Sequence, residues 1–67
     1  ERGNEAWALC LLGDAATAHL NPREAGICYR DASEIAGQLA MAPVQARCSD
    51  GLAHLASLDE IGTIDGT

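Results

Sequence analysis

At 67 residues, with 48% hydrophobic content and only Trp7 and Tyr29 as aromatics, the chain has material for one small domain or a piece of a larger one. Its net charge of −6, with no lysine and four scattered arginines (Arg2, Arg23, Arg30, Arg47), excludes the clustered positive charge that nucleic acid or an anionic membrane surface requires. Apolar runs of a few residues fall far short of a membrane span, and no charged-then-apolar leader is visible, so a cytoplasmic location is expected.

The apolar mass is mostly Ala and Leu, which favours helices that pack closely over a bulky core. A first helix is expected from about Glu5 to Ala18, with Asn4 as its cap and Glu5 suited to the positive end of the helix dipole. His19-Leu20-Asn21-Pro22 then interrupts the pattern. Pro22 fits the first position of a second helix, capped by Asn21 and reaching about Leu39. Gly26 and Gly37 each weaken that helix by roughly 1 kcal/mol relative to Ala. A third helix is expected from Pro43 to about Leu58, with Val44, Cys48, Leu52 and Leu55 on its apolar stripe and Gly51 denting it. Residues 59–67 carry two glycines and two threonines, so a frayed tail is expected there.

The first two helices have matching faces. Leu9, Leu12, Gly13 and Ala16 recur at i, i+3, i+4 and i+7, and Ala25, Tyr29 and Ala32 at i, i+4 and i+7. Gly13 and Ala25 are small enough for two antiparallel helices to cross closely, with Leu9, Leu12 and Tyr29 filling the flanks. The fold class read from this pattern is all-α: an antiparallel helical hairpin plus a third helix.

The spacing resembles that of the tetratricopeptide repeat, whose signature is a Leu-Gly pair followed by small, aromatic and small residues at fixed offsets. Leu12-Gly13 resembles the pair, and Ala25, Tyr29 and Ala32 follow at the family's offsets. A second, partial unit has Leu52-Ala53 at the place of the Leu-Gly pair, 40 positions on, where the usual repeat is 34 residues. Glu5-Ala6-Trp7-Ala8-Leu9, Leu39-Ala40-Met41 with Pro43, and Gln45-Ala46-Arg47-Cys48 are similar to long repeats of bacterial signalling ATPases, cyclase-linked and transcriptional regulators. The resemblance implies that residues 1–58 form a one-and-a-half-repeat piece of an α-solenoid. It also implies a groove lined by Trp7, Cys10, Asp14 and Thr17 from the first unit and by Arg47, Asp50, His54 and Ser57 from the second. Family members that clamp a terminal carboxylate use Lys and Asn at such positions; Asp14 and Asp50 make that mode unsuited to this chain.

Other chemistry has weaker signals. Cys10, Cys28 and Cys48 lie 18 and 20 residues apart, without the close pairing of a zinc site, and their odd number argues against a disulfide framework. They read as small helix-packing residues, Cys10 on the groove side and Cys28 nearer the hairpin seam. Asp50 and His54 are spaced to pair on one helix face. Nothing supplies an orienting group or oxyanion hole for a Cys-His nucleophile, and the glycines lack phosphate-loop spacing. No enzyme activity, cofactor or metal is expected. The expected role is a protein-interaction or scaffolding module, part of a larger regulatory protein, whose partner is a protein, a peptide or other domains of the parent chain. The alternative is a structural connector or self-association segment.

Overall fold

The computed structural model describes residues 2–65, with side-chain environments for residues 2–58. Three α-helices make up the described chain: α1 (Arg2–Ala18), α2 (Pro22–Gln38) and α3 (Ala42–Asp65). The all-α hairpin with a third helix is therefore the observed architecture. α2 lies between the other two and packs most extensively against α1, while α1 and α3 also touch.

Why the helices begin where they do follows from local chemistry. Pro22 occupies the first turn of α2, where its missing N–H costs nothing and its fixed φ suits the helix. Asn21 stands at the cap position, but its side chain makes no capping hydrogen bond. α1 begins at Arg2 rather than Glu5, which puts Asn4 inside the helix instead of at its cap. Arg2 is also tied to the far end of α2, donating to Gln38 Oε1 at 2.5 Å, and this anchors the first turn. α3 begins at Ala42, one residue before Pro43, so the proline again falls in a first turn.

The far end of α3 differs from expectation. Helical backbone continues past Leu58 to Asp65, and only residues 66 and 67 of the expected frayed tail lie outside the described chain. Gly62 and Thr63 lower helix propensity without removing a backbone donor as proline would. Extending an existing helix adds one hydrogen bond per residue without a new nucleus.

The two connections are built alike. The amide of Asn21 bonds to the Ala16 carbonyl at 2.9 Å and that of Leu20 to Thr17 at 3.0 Å. The amide of Met41 bonds to Ala36 at 2.8 Å and that of Ala40 to Gly37 at 3.3 Å. Each is a Schellman turn, and its left-handed residue is Leu20 (φ 58) in one and Ala40 (φ 55) in the other. Neither is glycine. The left-handed positions are 20 residues apart, as are the starts of the helices at 2, 22 and 42.

The core consists of small side chains around one large one. Ala6 and Cys10 of α1, Ala25, Tyr29, Ala32, Ile35 and Ala36 of α2, and Val44, Cys48 and Leu55 of α3 are buried together. Leu9, Ala16, Met41 and Leu52 pack at their edge. On α3 the expected stripe is the observed one. On α1 it is rotated: Leu12 is 56% exposed, and Cys10, placed in the groove by its sequence position, is completely buried. The cause is that α1 carries apolar residues all round, so periodicity alone does not select the inner face. Cys10 is consequently less accessible than Cys28, which retains 7% exposure, reversing their expected order. All three cysteines are free thiols packed between helices.

Tyr29 explains the small residues beside it. A Cβ added to Gly13 would lie 2.7 Å from Tyr29 Cε1, and one added to Gly51 would lie 2.5 Å from Tyr29 Cζ. The ring is thus held between the backbones of α1 and α3. The close crossing at Gly13 accommodates this ring rather than Ala25. Ala53, 40 residues after Gly13, is exposed, and Gly51 is the α3 residue that meets the ring.

Candidate functional site

One polar cluster joins all three helices, and Tyr29 brings it together. Its ring fills the space between Gly13 and Gly51, which carries the hydroxyl to the rim, where Oη donates to Asp14 Oδ1 at 2.5 Å. The other oxygen of Asp14, Oδ2, accepts from the Arg47 guanidinium of α3. A single carboxylate on α1 is therefore bonded to α2 and to α3 at once. One turn on, Thr17 Oγ1 donates to the Gly13 carbonyl at 2.9 Å, so the backbone beside the ring is also bonded.

The electrostatics follow from this arrangement. Burial, with the hydrogen bond to Asp14 adding to it, raises the Tyr29 hydroxyl above its ordinary pKa, so it remains a donor at neutral pH. Asp14 beside it likewise raises the Arg47 guanidinium. The side chains of this ion pair remain 51% and 39% exposed, so solvent screens their attraction. Its value is in fixing position: it holds α1 and α3 in register across the cleft. Beneath lies Cys48, whose thiol is pushed up to about 11 by burial and by the neighbouring Cys10. A protonated, buried thiol is a packing group and a poor nucleophile.

Asp14, Thr17, Tyr29, Arg47, Asp50, Gly51 and His54 line an open cleft of about 300 Å³ between α1 and α3. Five of the eight residues assigned to a groove by resemblance thus face one another: Asp14, Thr17, Arg47, Asp50 and His54. Cys10 lies below them in the core. Trp7 and Ser57 are exposed but do not line this cleft. The two cleft residues absent from the sequence assignment are Tyr29 and Gly51. Tyr29 reads as a core aromatic from its spacing, and only a three-dimensional path shows that its hydroxyl emerges beside Asp14.

Asp50 and His54 share the cleft wall with no ion pair between them among the described residues. Their side chains are open to solvent, one offering acceptors and the other a ring with donor and acceptor nitrogens. The arrangement can hydrogen-bond a peptide or protein surface laid along the cleft. Among the described residues, no three His, Cys, Asp or Glu side chains converge as a metal site would require. No described helix is long and apolar enough to cross a membrane. The chain matches no protein-family model, no curated protein and no solved structure.

Proposed function

We propose that this chain is a helical-repeat module that binds protein or peptide in the cleft around Asp14, Tyr29 and Arg47. The observation that carries this reading is the convergence of polar side chains from two helices on one open cleft, with its floor fixed by a buried ring. Asp50 and His54 are the residues offered to a partner, whereas Asp14 and Arg47 are engaged with each other and with Tyr29. The 40-residue spacing of the first and third helix starts and the resemblance to tetratricopeptide repeats support the same reading. On this reading the chain is a piece of a larger cytoplasmic regulator, and its three free thiols suit a reducing compartment.

Selection of binders from a displayed library of random peptides tests the proposal. The peptides enriched on the parent chain are measured against Asp50→Ala and His54→Ala, both at exposed positions that leave the core untouched. We expect at least tenfold weaker binding, roughly 1.4 kcal/mol, for one or both variants. Enriched peptides that bind both variants as tightly as the parent chain would sink the assignment of the cleft.

A further inference from the structure

We propose that Cys10 of α1 and Cys48 of α3 form a reversibly oxidisable pair, closing to a disulfide that ties the two helices together beneath the cleft. Both side chains are completely buried, in the one core cluster that all three helices share. This modification does not depend on what the cleft binds.

The helix arrangement brings the two sulfurs together. α1 and α3 run in the same direction, each antiparallel to α2. Arg2 at the start of α1 reaches Gln38 at the end of α2, and a Cβ on Gly37 would meet Gln45 in the first turn of α3. At the cleft, Cβ atoms on Gly13 and Gly51 would lie 2.7 Å and 2.8 Å from the same ring carbon, Cε1 of Tyr29, so the two backbones come close there. Cys10 precedes Gly13 by three residues, and Cys48 precedes Gly51 by three. Each cysteine therefore lies about one turn back on the same face of its helix, at the same level. The Cys10 thiol adjoins that of Cys48 and acts on its ionisation. Cys28 stands apart. It belongs to α2 and lies outside the shared core cluster, and burial with the neighbouring Glu24 and Asp31 raises its thiol and disfavours its thiolate.

A low-molecular-weight disulfide such as glutathione disulfide supplies the oxidising equivalents. One cysteine, as its thiolate, attacks a sulfur of that disulfide and expels one glutathione thiolate, leaving a mixed disulfide. The thiolate of the second cysteine then displaces the other glutathione. Net, one S–S bond breaks and another forms; the two protein thiols lose two protons, and two glutathione thiols gain them. Burial keeps Cys48 protonated at neutral pH, so the pair stays reduced while the helices are together and reacts when they part. The closed bond lies one turn from Gly13 and Gly51 and fixes the separation of the cleft walls.

To test this, the full chain is equilibrated with reduced and oxidised glutathione, quenched with N-ethylmaleimide in denaturant, and cut after arginine without reduction. The cuts place Cys10 in 3–23, Cys28 in 24–30 and Cys48 in 48–67, so mass spectrometry reads each pairing directly. We expect 3–23 joined to 48–67, with Cys28 alkylated, as the dominant oxidised species in buffer. In concentrated urea the shorter loops through Cys28 close more readily, so the share of this pairing should fall about threefold or more. The oxidised chain should also unfold at a higher urea midpoint than the reduced chain, because the bond restricts its unfolded state. Dominant crosslinks through Cys28 in buffer, or the same pairing pattern in urea, would overturn the proposal. So would thiols that take up only glutathione or stay alkylatable in excess glutathione disulfide, or a lower midpoint for the oxidised chain.

Discussion

The joint between α1 and α2 and the joint between α2 and α3 share a backbone plan and differ in what seals them. Each closes on a Schellman turn with a non-glycine residue in the left-handed region, and each brings a glycine onto Tyr29. At the first joint the residue after Leu20 is Asn21, exposed and polar, followed at once by Pro22. At the second, the corresponding Met41 packs against the core, and Pro43 comes one residue later. An apolar contact at that position commonly accompanies the turn. A proline stands in the first turn after both joints, and only the second adds an apolar contact. The same turn hydrogen bonds and left-handed residue thus occur with a polar or an apolar side chain at the corner.

The most severe way to break this comparison is to remove the element both joints share. Tyr29→Ala empties the space between α1 and α3 and removes the bond to Asp14, at a cost of about 3–5 kcal/mol. A chain of this length has on the order of 3–10 kcal/mol in total. We therefore expect most of its helical dichroism at 25 °C to be lost, or its urea midpoint to fall sharply.

Next come the glycines, which test whether the ring is held from both sides. Gly51→Leu and Gly13→Leu should each cost about 1–3 kcal/mol, since a ring pushed from one backbone runs into the other. For the same reason Gly13→Ala should destabilise, although helix propensity alone favours it by about 1 kcal/mol. Gly26→Leu is the control, with nothing within 4 Å of an added Cβ, and should hold or raise stability. Urea unfolding of the four variants separates these signs; equal gains for all would mean that neither joint grips the ring.

A smaller effect concerns pH. Burial raises the Cys48 thiol from 9.0 in the ordinary state to about 11, and the Tyr29 hydroxyl moves in the same direction. The folded chain therefore retains protons that the unfolded chain releases. This contribution is complete below about pH 9 and is lost as pH rises toward 11. Thermal melts across that interval should show falling stability, and Cys48→Ala should flatten the slope while lowering the plateau.

The smallest expected change is at the corners themselves. Leu20→Gly and Ala40→Gly relieve a left-handed conformation that costs an L-residue about 1–2 kcal/mol, against about 0.5–1 kcal/mol of added chain entropy. Each should gain a few tenths to about 1 kcal/mol in chemical denaturation, and comparable gains would show that the two corners carry similar strain.

How far the sequence discloses the fold depends on how one-sided each helix is. α2 was legible in detail, because Pro22 fixes its start and its apolar residues other than Ile27 recur on one buried face. The stripe of α3 was equally legible through Leu55. α1 was legible as a helix but not in its rotation. With Leu9, Cys10, Leu11 and Leu12 in succession, a seam through Leu12 and one through Cys10 fit the pattern equally well. The cleft divided in the same manner. Its charged residues followed from repeat positions, whereas Tyr29 and Gly51 entered only once helices distant in sequence were placed side by side.

The ring of Tyr29 also has a consequence in time. A tyrosine exchanges its two edges by rotating half a turn about its Cβ–Cγ bond, and doing so sweeps out a volume wider than the flat ring. Here that volume is bounded by the backbones at Gly13 and Gly51, so each flip requires α1 and α3 to draw apart together. The flip frequency therefore counts the breathing motions of the three-helix stack, which belong to the slow, collective end of protein dynamics. Separate NMR signals for the two ring edges, merging on warming, would make this single side chain a clock for the opening of the whole chain.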